Sequence, residues 1–186
     1  MTDKPPAAAP GPVTEAGSEY GLPTWPEGRF VGRQQFENLV VQGLLQAAAS
    51  ASALVWLCDP DFADWPLGQR PLVDALDAWA VATRGHPLAQ LRMLAQSYDD
   101  MRVRHARFVT WRARWSHRVE VRIWSAGQAK LPSVLWTPQW SLQRVDDTRD
   151  VVVATVDAAQ RKRLDERLQP CWGQGRPAFP VTSLGL

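Results

Sequence analysis

The hydrophobic and polar positions of this chain alternate between helical and extended periodicities. The first periodic segment carries apolar or small residues at helical spacing: Phe36, Leu39, Val40, Gly43, Leu44 and Ala47. This stripe predicts an amphipathic helix. Residues 53–58 form a nearly continuous apolar run, which is typical of a strand buried on both faces. A second helical stripe starts at Pro71, a residue suited to a first helical turn, and ends before Gly85.

The alternation continues through the middle of the chain and changes in the last third. We predict a strand at 91–95, an arginine-rich helix from Asp99 to about Trp115, and a strand at 119–123. Helical crossovers of this length favour parallel neighbouring strands with helices on the faces of the sheet. The last third predicts a hairpin of strands 133–136 and 140–144, a β-branched strand at 151–156, and a helix capped by Asp157. The pattern therefore predicts an α/β fold with mixed strand pairing in its C-terminal third.

Composition divides the chain into a tail, a domain and an extension. Residues 1–28 contain six prolines and no periodicity, which is typical of a disordered tail or linker. Residues 29–172 are predicted to form a single α/β domain, and residues 173–186 a Pro/Gly-rich C-terminal extension. A chain of 186 residues with 45% hydrophobic content is long enough and apolar enough for one sizeable core.

Charge and cysteine content exclude several classes of protein. The formal net charge is only +2, so the whole chain is not a polycation. Of the 21 cationic residues, 3 are lysines, and this preference for arginine fits either anion recognition or a GC-rich genome, with the genomic explanation favoured. Cys58 and Cys171 match no metal or redox spacing, and we expect no metal and no cofactor. No signal peptide and no apolar run of roughly 18 residues is visible, so we expect a soluble, cytoplasmic protein.

The arginine-rich helix contains the candidate chemistry. Its apolar residues, Met101, Phe108, Trp111 and Trp115, project onto one face at 100° per residue. Arg104 falls on this face in the projection, whereas Arg107 and Arg114 point away, toward solvent. A cation on an apolar face needs an anionic partner, because an unpaired buried charge is costly.

Acidic residues at the end of the first buried strand are the predicted partners of that cation. Asp59 and Asp61 follow the strand at its carboxyl end, the edge where open α/β sheets bind ligands. We therefore predict an anion pocket lined by Asp59, Asp61, Arg102, Arg104 and His105. The alternative is a structural Arg–Asp pair beside a solvated arginine face. A further alternative is nucleic-acid binding, because residues 102–122 carry seven Arg and two His against one acid, Glu120.

Several stretches together resemble a known bacterial family. They are the segments at 54–61, 71–76 and 91–96, and the Arg104-His105 helix leading into the strand at 119–122. The family is a domain of unknown function similar to one half of the phospholipase D fold, and in many bacteria it stands beside an acetyltransferase domain. The resemblance covers residues 30–172 and implies a three-layer α/β/α sandwich with a mixed, mainly parallel sheet.

The resemblance does not transfer the phospholipase activity. That chemistry uses a His-x-Lys motif followed by an Asp, with the histidine as nucleophile. The three histidines here, His86, His105 and His117, are followed two residues later by Leu88, Arg107 and Val119.

Three functions remain open from the sequence. The first is a non-catalytic phospholipase D-like domain with a degenerate active site, which binds an anionic small molecule or a protein partner. Such a domain could also form a homodimer. The second is a phosphodiesterase or other phosphoryl-transfer enzyme that uses His105. The third is a nucleic-acid-binding module that uses the arginine helix.

Overall fold

The computed structural model describes residues 25–125 and 130–179, and only the backbone of Arg102. The helices are α1 (Arg33–Ala49), α2 (Arg70–Ala82), α3 (Met101–Arg104), α4 (Ala106–Arg114) and α5 (Ala158–Gln174). The strands are β1 (Gly28–Val31), β2 (Leu54–Cys58), β3 (Gln90–Ala95), β4 (Val119–Ile123), β5 (Ser133–Trp136), β6 (Ser141–Asp146), β7 (Val151–Thr155) and β8 (Arg176–Pro177). Short 3₁₀ turns occupy Pro66–Gly68 and Ser116–Arg118.

All eight strands form one mixed sheet in the order β1-β7-β6-β5-β2-β3-β4-β8. The predicted α/β class and mixed sheet are confirmed. The pairs β2–β3 and β3–β4 are parallel, as the helical crossovers predict. The remaining neighbouring pairs are antiparallel, so the expectation of a mainly parallel sheet holds only for these central strands. Short turns join β5, β6 and β7, and such turns permit only antiparallel neighbours.

Strand β2 shows why the sheet is covered on both faces. Its residues Val55 and Leu57 pack into a core with α1, α2 and α4, while Trp56 and Cys58 pack into a second core with α5. Successive side chains of a strand point to opposite faces, so a strand between two cores is apolar throughout. The predicted three-layer α/β/α arrangement is confirmed.

Two edge strands were not predicted from the sequence. Strand β1 pairs with β7, and β8 pairs with β4. β8 lies in the predicted C-terminal extension, and Phe179, just beyond it, is buried and stacks on Tyr98 with ring centroids 5.6 Å apart. Part of the extension is thus packed against the domain, while the domain boundaries themselves stay a prediction.

The predicted arginine helix is two helices with a break at His105. The backbone there adopts φ −125° and ψ 44°, outside the helical region, and separates α3 from α4. The break changes the phase of the side chains, so a projection at 100° per residue fails across it. Met101, Phe108, Trp111 and Trp115 are buried as predicted. The placement of Arg104 on the apolar face is wrong, because its side chain is 56% exposed.

No helix within residues 25–125 and 130–179 is both long and apolar enough to cross a bilayer.

Candidate functional site

A cluster of charged side chains lies at the carboxyl end of β2, one of the parallel strands. The antiparallel pairing of β5 with β2 places Ser133 beside the end of β2, and the β5–β6 register puts Arg144 opposite Ser133. Arg144 therefore lies close to Asp59, although the two residues are far apart in the sequence. A cluster of charges lies at the sheet edge where we predicted the anion pocket, but the cation beside Asp59 comes from β6.

Asp59 is buried, and both of its carboxylate oxygens accept hydrogen bonds. It is only 1% exposed. Its Oδ1 accepts the backbone N–H groups of Asp61 (3.1 Å) and Phe62 (2.8 Å), and its Oδ2 accepts the indole N–H of Trp65 at 2.8 Å. Arg144 Nη2 approaches the same Oδ2 at 3.5 Å. Buried charges persist in proteins when they are paired and hydrogen-bonded, and Asp59 meets both conditions.

Arg144 is the centre of an ion-pair network at the carboxyl end of β2. Its side chain is 5% exposed and lies over the ring of Phe36, with Cζ 4.8 Å from the ring centroid. Besides Asp59 it approaches Asp150 at 3.2 Å, Asp147 at 3.3 Å and Asp64 at 3.8 Å. Four carboxylates thus surround one guanidinium, and an anion that entered here would be repelled.

Two flanking cations partly balance these carboxylates. Lys130 Nζ bonds to Asp147, and this bond raises the pKa of the lysine above its ordinary value. Arg33 approaches Asp64 at 3.8 Å. With Arg144 and the four acids, the network remains net acidic.

The other predicted site residues lie on the same edge but in separate environments. Asp61 is exposed, and its Oδ1 accepts the backbone N–H of Ala63 at 2.8 Å, which stabilises the local turn. Arg104 pairs with Asp100 at 3.6 Å. The pairing of Arg104 with Asp59 or Asp61 is therefore wrong, since Asp59 has Arg144 as its cation. The side chain of Arg102 lies outside the described part of the structure.

His105 is buried at the break between α3 and α4. It is 5% exposed, and its Nε2 donates to the backbone carbonyl of Phe62 at 2.8 Å. A ring nitrogen that donates to a carbonyl carries the proton, so Nδ1 is the bare nitrogen of the neutral imidazole. Nδ1 is buried without a hydrogen-bond partner among the described residues. Burial lowers the pKa of His105 below its ordinary value, opposed by the bond to Phe62 and assisted by Arg104.

Exposed arginines of α4 line a groove against α2. The groove has a volume of about 550 Å³ and is lined by Arg70, Val73, Asp74, Asp77, Arg107, Thr110, Trp111 and Arg114. Arg70 approaches Asp74 at 3.7 Å and Arg114 approaches Asp77 at 3.8 Å. The outward orientation predicted for Arg107 and Arg114 is confirmed. Their guanidinium groups lie outside the apolar core and within reach of a ligand.

The sequence contained a weak signal for the residue that it missed. Arg144 lies two positions after Leu142 in a predicted strand, so the two side chains share one face, and it precedes the acidic segment 146–150. A cation on an apolar strand face needs an anionic partner, and Asp146, Asp147 and Asp150 follow within six positions. What the sequence lacked was the strand order that brings β6 within reach of Asp59.

No cluster of three or more His, Cys, Asp or Glu side chains in the described ranges has an arrangement that could hold a metal ion.

No protein-family model and no curated protein matches the sequence. Several solved structures match the fold at low sequence identity. TrmBL2, an archaeal chromatin protein whose structure shows a novel mode of DNA binding, is 14% identical with a TM-score of 0.59. That match covers 87% of this chain, which spans 57% of the chromatin protein.

Two smaller proteins match over nearly their whole length. NucT from Helicobacter pylori is 12% identical with a TM-score of 0.57, and the match covers 82% of this chain and 99% of NucT. Nuc from Salmonella typhimurium, a phospholipase D family member, is 14% identical with a TM-score of 0.55, over 83% of this chain and 100% of Nuc. The chain therefore has a phospholipase D-like α/β fold.

Proposed function

We propose that this protein is a non-catalytic phospholipase D-like domain that binds an anionic ligand in the groove between α2 and α4. The observation that carries the proposal is the set of three guanidinium groups, from Arg70, Arg107 and Arg114, around a groove of about 550 Å³. This volume is within the range of ligand pockets, about 300–1,000 Å³. Arginine is suited to the bidentate recognition of carboxylate and phosphate groups.

The charges of the groove favour an incoming anion. Arg70 and Arg114 have aspartate partners, but both pairs are long and the arginine side chains are largely exposed. Such exposed pairs contribute about 0–1 kcal/mol, so a ligand anion can compete with them. Arg107 has no ion pair within the described residues, and its Nη1 donates to the backbone carbonyl of Gly68 at 3.0 Å. The groove thus contains one guanidinium more than it contains carboxylates.

The charges at the site predicted from the sequence also favour the groove between α2 and α4 as the place where an anion binds. Ligand binding by Asp59, Asp61, Arg102, Arg104 and His105 stays a prediction. However, the carboxylates around Arg144 would repel an anion at that edge, and Asp59 is already saturated with donors. In the groove between α2 and α4, by contrast, exposed guanidinium groups outnumber the carboxylates.

The environment of His105 counts against the phosphodiesterase alternative. A nucleophilic histidine needs an exposed nitrogen with a lone pair that can reach phosphorus. Nε2 of His105 is occupied by the carbonyl of Phe62, and Nδ1 is enclosed. The exposed histidines, His86 and His117, precede β3 and β4 and so lie at the opposite edge of the parallel strands.

The proposal is tested by titrating the protein with inorganic pyrophosphate while the indole N–H resonance of Trp111 is followed by NMR. We expect a saturable shift in the wild type. Arg107→Gln should weaken binding by about tenfold or more, since a hydrogen bond to a charged group contributes roughly 1.5–3 kcal/mol. Arg149→Gln is the matched control, because it removes one exposed positive charge that does not line the groove. Equal affinities of the two variants would refute the proposal.

Nucleic-acid binding is the second candidate function. It is favoured by the exposed guanidinium groups of Arg104, Arg107 and Arg114 on α3 and α4, and by the similarity to a chromatin protein that binds DNA. If these arginines contact phosphates, log K should fall linearly with log salt, and each Arg→Gln substitution should reduce the slope by about one. An affinity for single-stranded or duplex DNA that is insensitive to salt would exclude it. Homodimerisation and a protein partner stay predictions.

A further inference from the structure

The opposite face of the sheet carries a second group of cations. α5 covers this face, and its residues Leu164, Leu168 and Trp172 pack into the second core. Beside Leu164 lies a cavity of about 290 Å³ lined by Gln143, Gln160, Arg163, Leu164 and Arg167. Its polar lining consists of two guanidinium groups and two carboxamides, without a carboxylate.

The spacing of these residues brings their side chains together. Gln160, Arg163 and Arg167 are separated by three and four positions on α5, so they share one face of the helix. Gln143 approaches from the sheet, where it lies on β6 between Val134 of β5 and Val153 of β7. Buried Leu164 forms an apolar wall of the cavity. The cavity is therefore built from two elements whose packing is fixed by the core.

The two arginines of the cavity are not compensated by the acids of α5. Among the described residues, the side chains of Arg163 and Arg167 form no ion pair and donate no hydrogen bond, and the same is true of both carboxamides. The nearby acids have other partners, since Glu166 pairs with Lys162, Asp165 accepts from Gln169, and Asp157 caps the helix. Like charges four residues apart on a helix repel one another, and a bound anion between them would remove that cost.

From this arrangement we infer that the cavity between α5 and β6 is a binding site for a phosphate group. Two guanidinium forks and two amide N–H₂ groups supply several donors to one small oxyanion, and phosphate has the acceptors to use them. The volume of about 290 Å³ is just below the range of ligand pockets, about 300–1,000 Å³, which suits one phosphate with a small substituent packed on Leu164. The phosphate belongs either to a small phosphate ester or to a nucleic-acid backbone. This site is separate from the α2/α4 groove and does not depend on it.

The experiment follows the side-chain amide resonances of Gln143 and Gln160 and the methyl resonances of Leu164 by NMR. The full-length protein is titrated with inorganic phosphate, with glycerol phosphate and with a short single-stranded DNA oligonucleotide. The test variant is Arg163→Gln/Arg167→Gln. The control variant, Lys162→Gln/Arg149→Gln, removes two exposed positive charges outside the cavity and so has the same net charge.

We expect saturable shifts in the wild type and in the control, with Kd values within about threefold of one another. In the test variant Kd should rise by at least about tenfold, because two charge-assisted contacts are lost. A response to phosphate and glycerol phosphate assigns the site to small esters, and a response to the oligonucleotide alone assigns it to nucleic acid. Absence of shifts with all three probes, or equal Kd values in the two variants, overturns the inference.

The outcome is independent of the function proposed for the α2/α4 groove. Arg107→Gln should leave the resonances of Gln143, Gln160 and Leu164 unchanged during the titration. Conversely, Arg163→Gln/Arg167→Gln should leave the shift of the Trp111 indole unchanged. Either site can therefore fail while the other is retained.

Discussion

Arg144 makes the largest difference between the predicted and the observed site. Its guanidinium joins Asp59, buried at the end of β2, to acids of two surface loops. A buried ion pair often contributes little net stability compared with an apolar replacement of both partners, but removal of one partner leaves the other charge buried and unpaired. Arg144 therefore determines whether Asp59 is tolerated in the core.

Arg144→Met should lower the free energy of unfolding by roughly 3–5 kcal/mol, because Asp59 loses its cation while remaining buried. The measurement is urea denaturation followed by tryptophan fluorescence at neutral pH. Arg149→Met is the matched control, since Arg149 forms an exposed pair with Asp146 and should cost at most about 1 kcal/mol. A similar loss in both variants would show that the network does not depend on burial.

His105 gives the protein a pH-dependent stability of predictable sign. Burial lowers its pKa in the folded state below the ordinary value of 6.5. The unfolded state therefore binds a proton as the pH falls through about 6.5, while the folded state resists it until lower pH. The stability that depends on a neutral His105 is therefore fully present above about pH 6.5 and is lost progressively as the pH falls below that value.

His105→Gln should flatten the dependence of the unfolding free energy on pH between about 7.5 and 5.5, because the carboxamide does not titrate there. Its N–H₂ group can still donate to the carbonyl of Phe62, so the local hydrogen bond is kept. Exposed His86 serves as the control, and His86→Gln should retain the slope of the wild type. An unchanged slope in His105→Gln would contradict the assignment.

At the scale of elements, the break between α3 and α4 is fixed by contacts with the loop before α2. A Cβ added to Gly68 would lie 2.9 Å from the backbone carbonyl of Arg104 and 3.4 Å from Nδ1 of His105. The carbonyl of Phe62 holds the imidazole from the same loop. Close backbone approach at Gly68 thus positions the non-helical residue that separates the two helices.

Gly68→Ala should destabilise the protein by about 1–3 kcal/mol, because a methyl group there forces the backbone at Arg104 to shift. The change in thermal unfolding temperature, measured by calorimetry, tests this. Gly85→Ala is the control, since a Cβ at Gly85 meets no atom within 4 Å. If the two substitutions have the same effect, the packing of Gly68 does not fix the break.

For the whole molecule, the mixed sheet separates two cationic grooves. The groove of α2 and α4 belongs to the layer that packs on Val55 and Leu57, and the cavity of α5 belongs to the layer on Trp56 and Cys58. Between the two layers, the Arg144 network lies at the carboxyl end of β2. In this phospholipase D-like fold, each of the two helical layers therefore presents a groove lined by arginines.

Much of the fold could be predicted because its signals are local. The apolar stripe from Phe36 to Ala47 and the Asp157 cap each depend on residues a few positions apart, and both occur as predicted. Parallel pairing of β2, β3 and β4 followed from the helical crossovers. β1 and β8 escaped prediction because short edge strands have little periodicity, and their pairing depends on distant strands.

The sequence by itself determined the layers of this protein: which segments are helices, which strand is buried on both faces, and which arginines of α4 point outward. Only the tertiary structure decided how the charges combine. Asp59 and Arg144 are 85 positions apart and meet because β5 and β6 fold back beside β2. The break at His105 likewise depends on contacts with Phe62 and Gly68. The physical reason is that hydrophobic periodicity indicates the secondary structure of a local segment, whereas the pairing of buried charges depends on strand order and register.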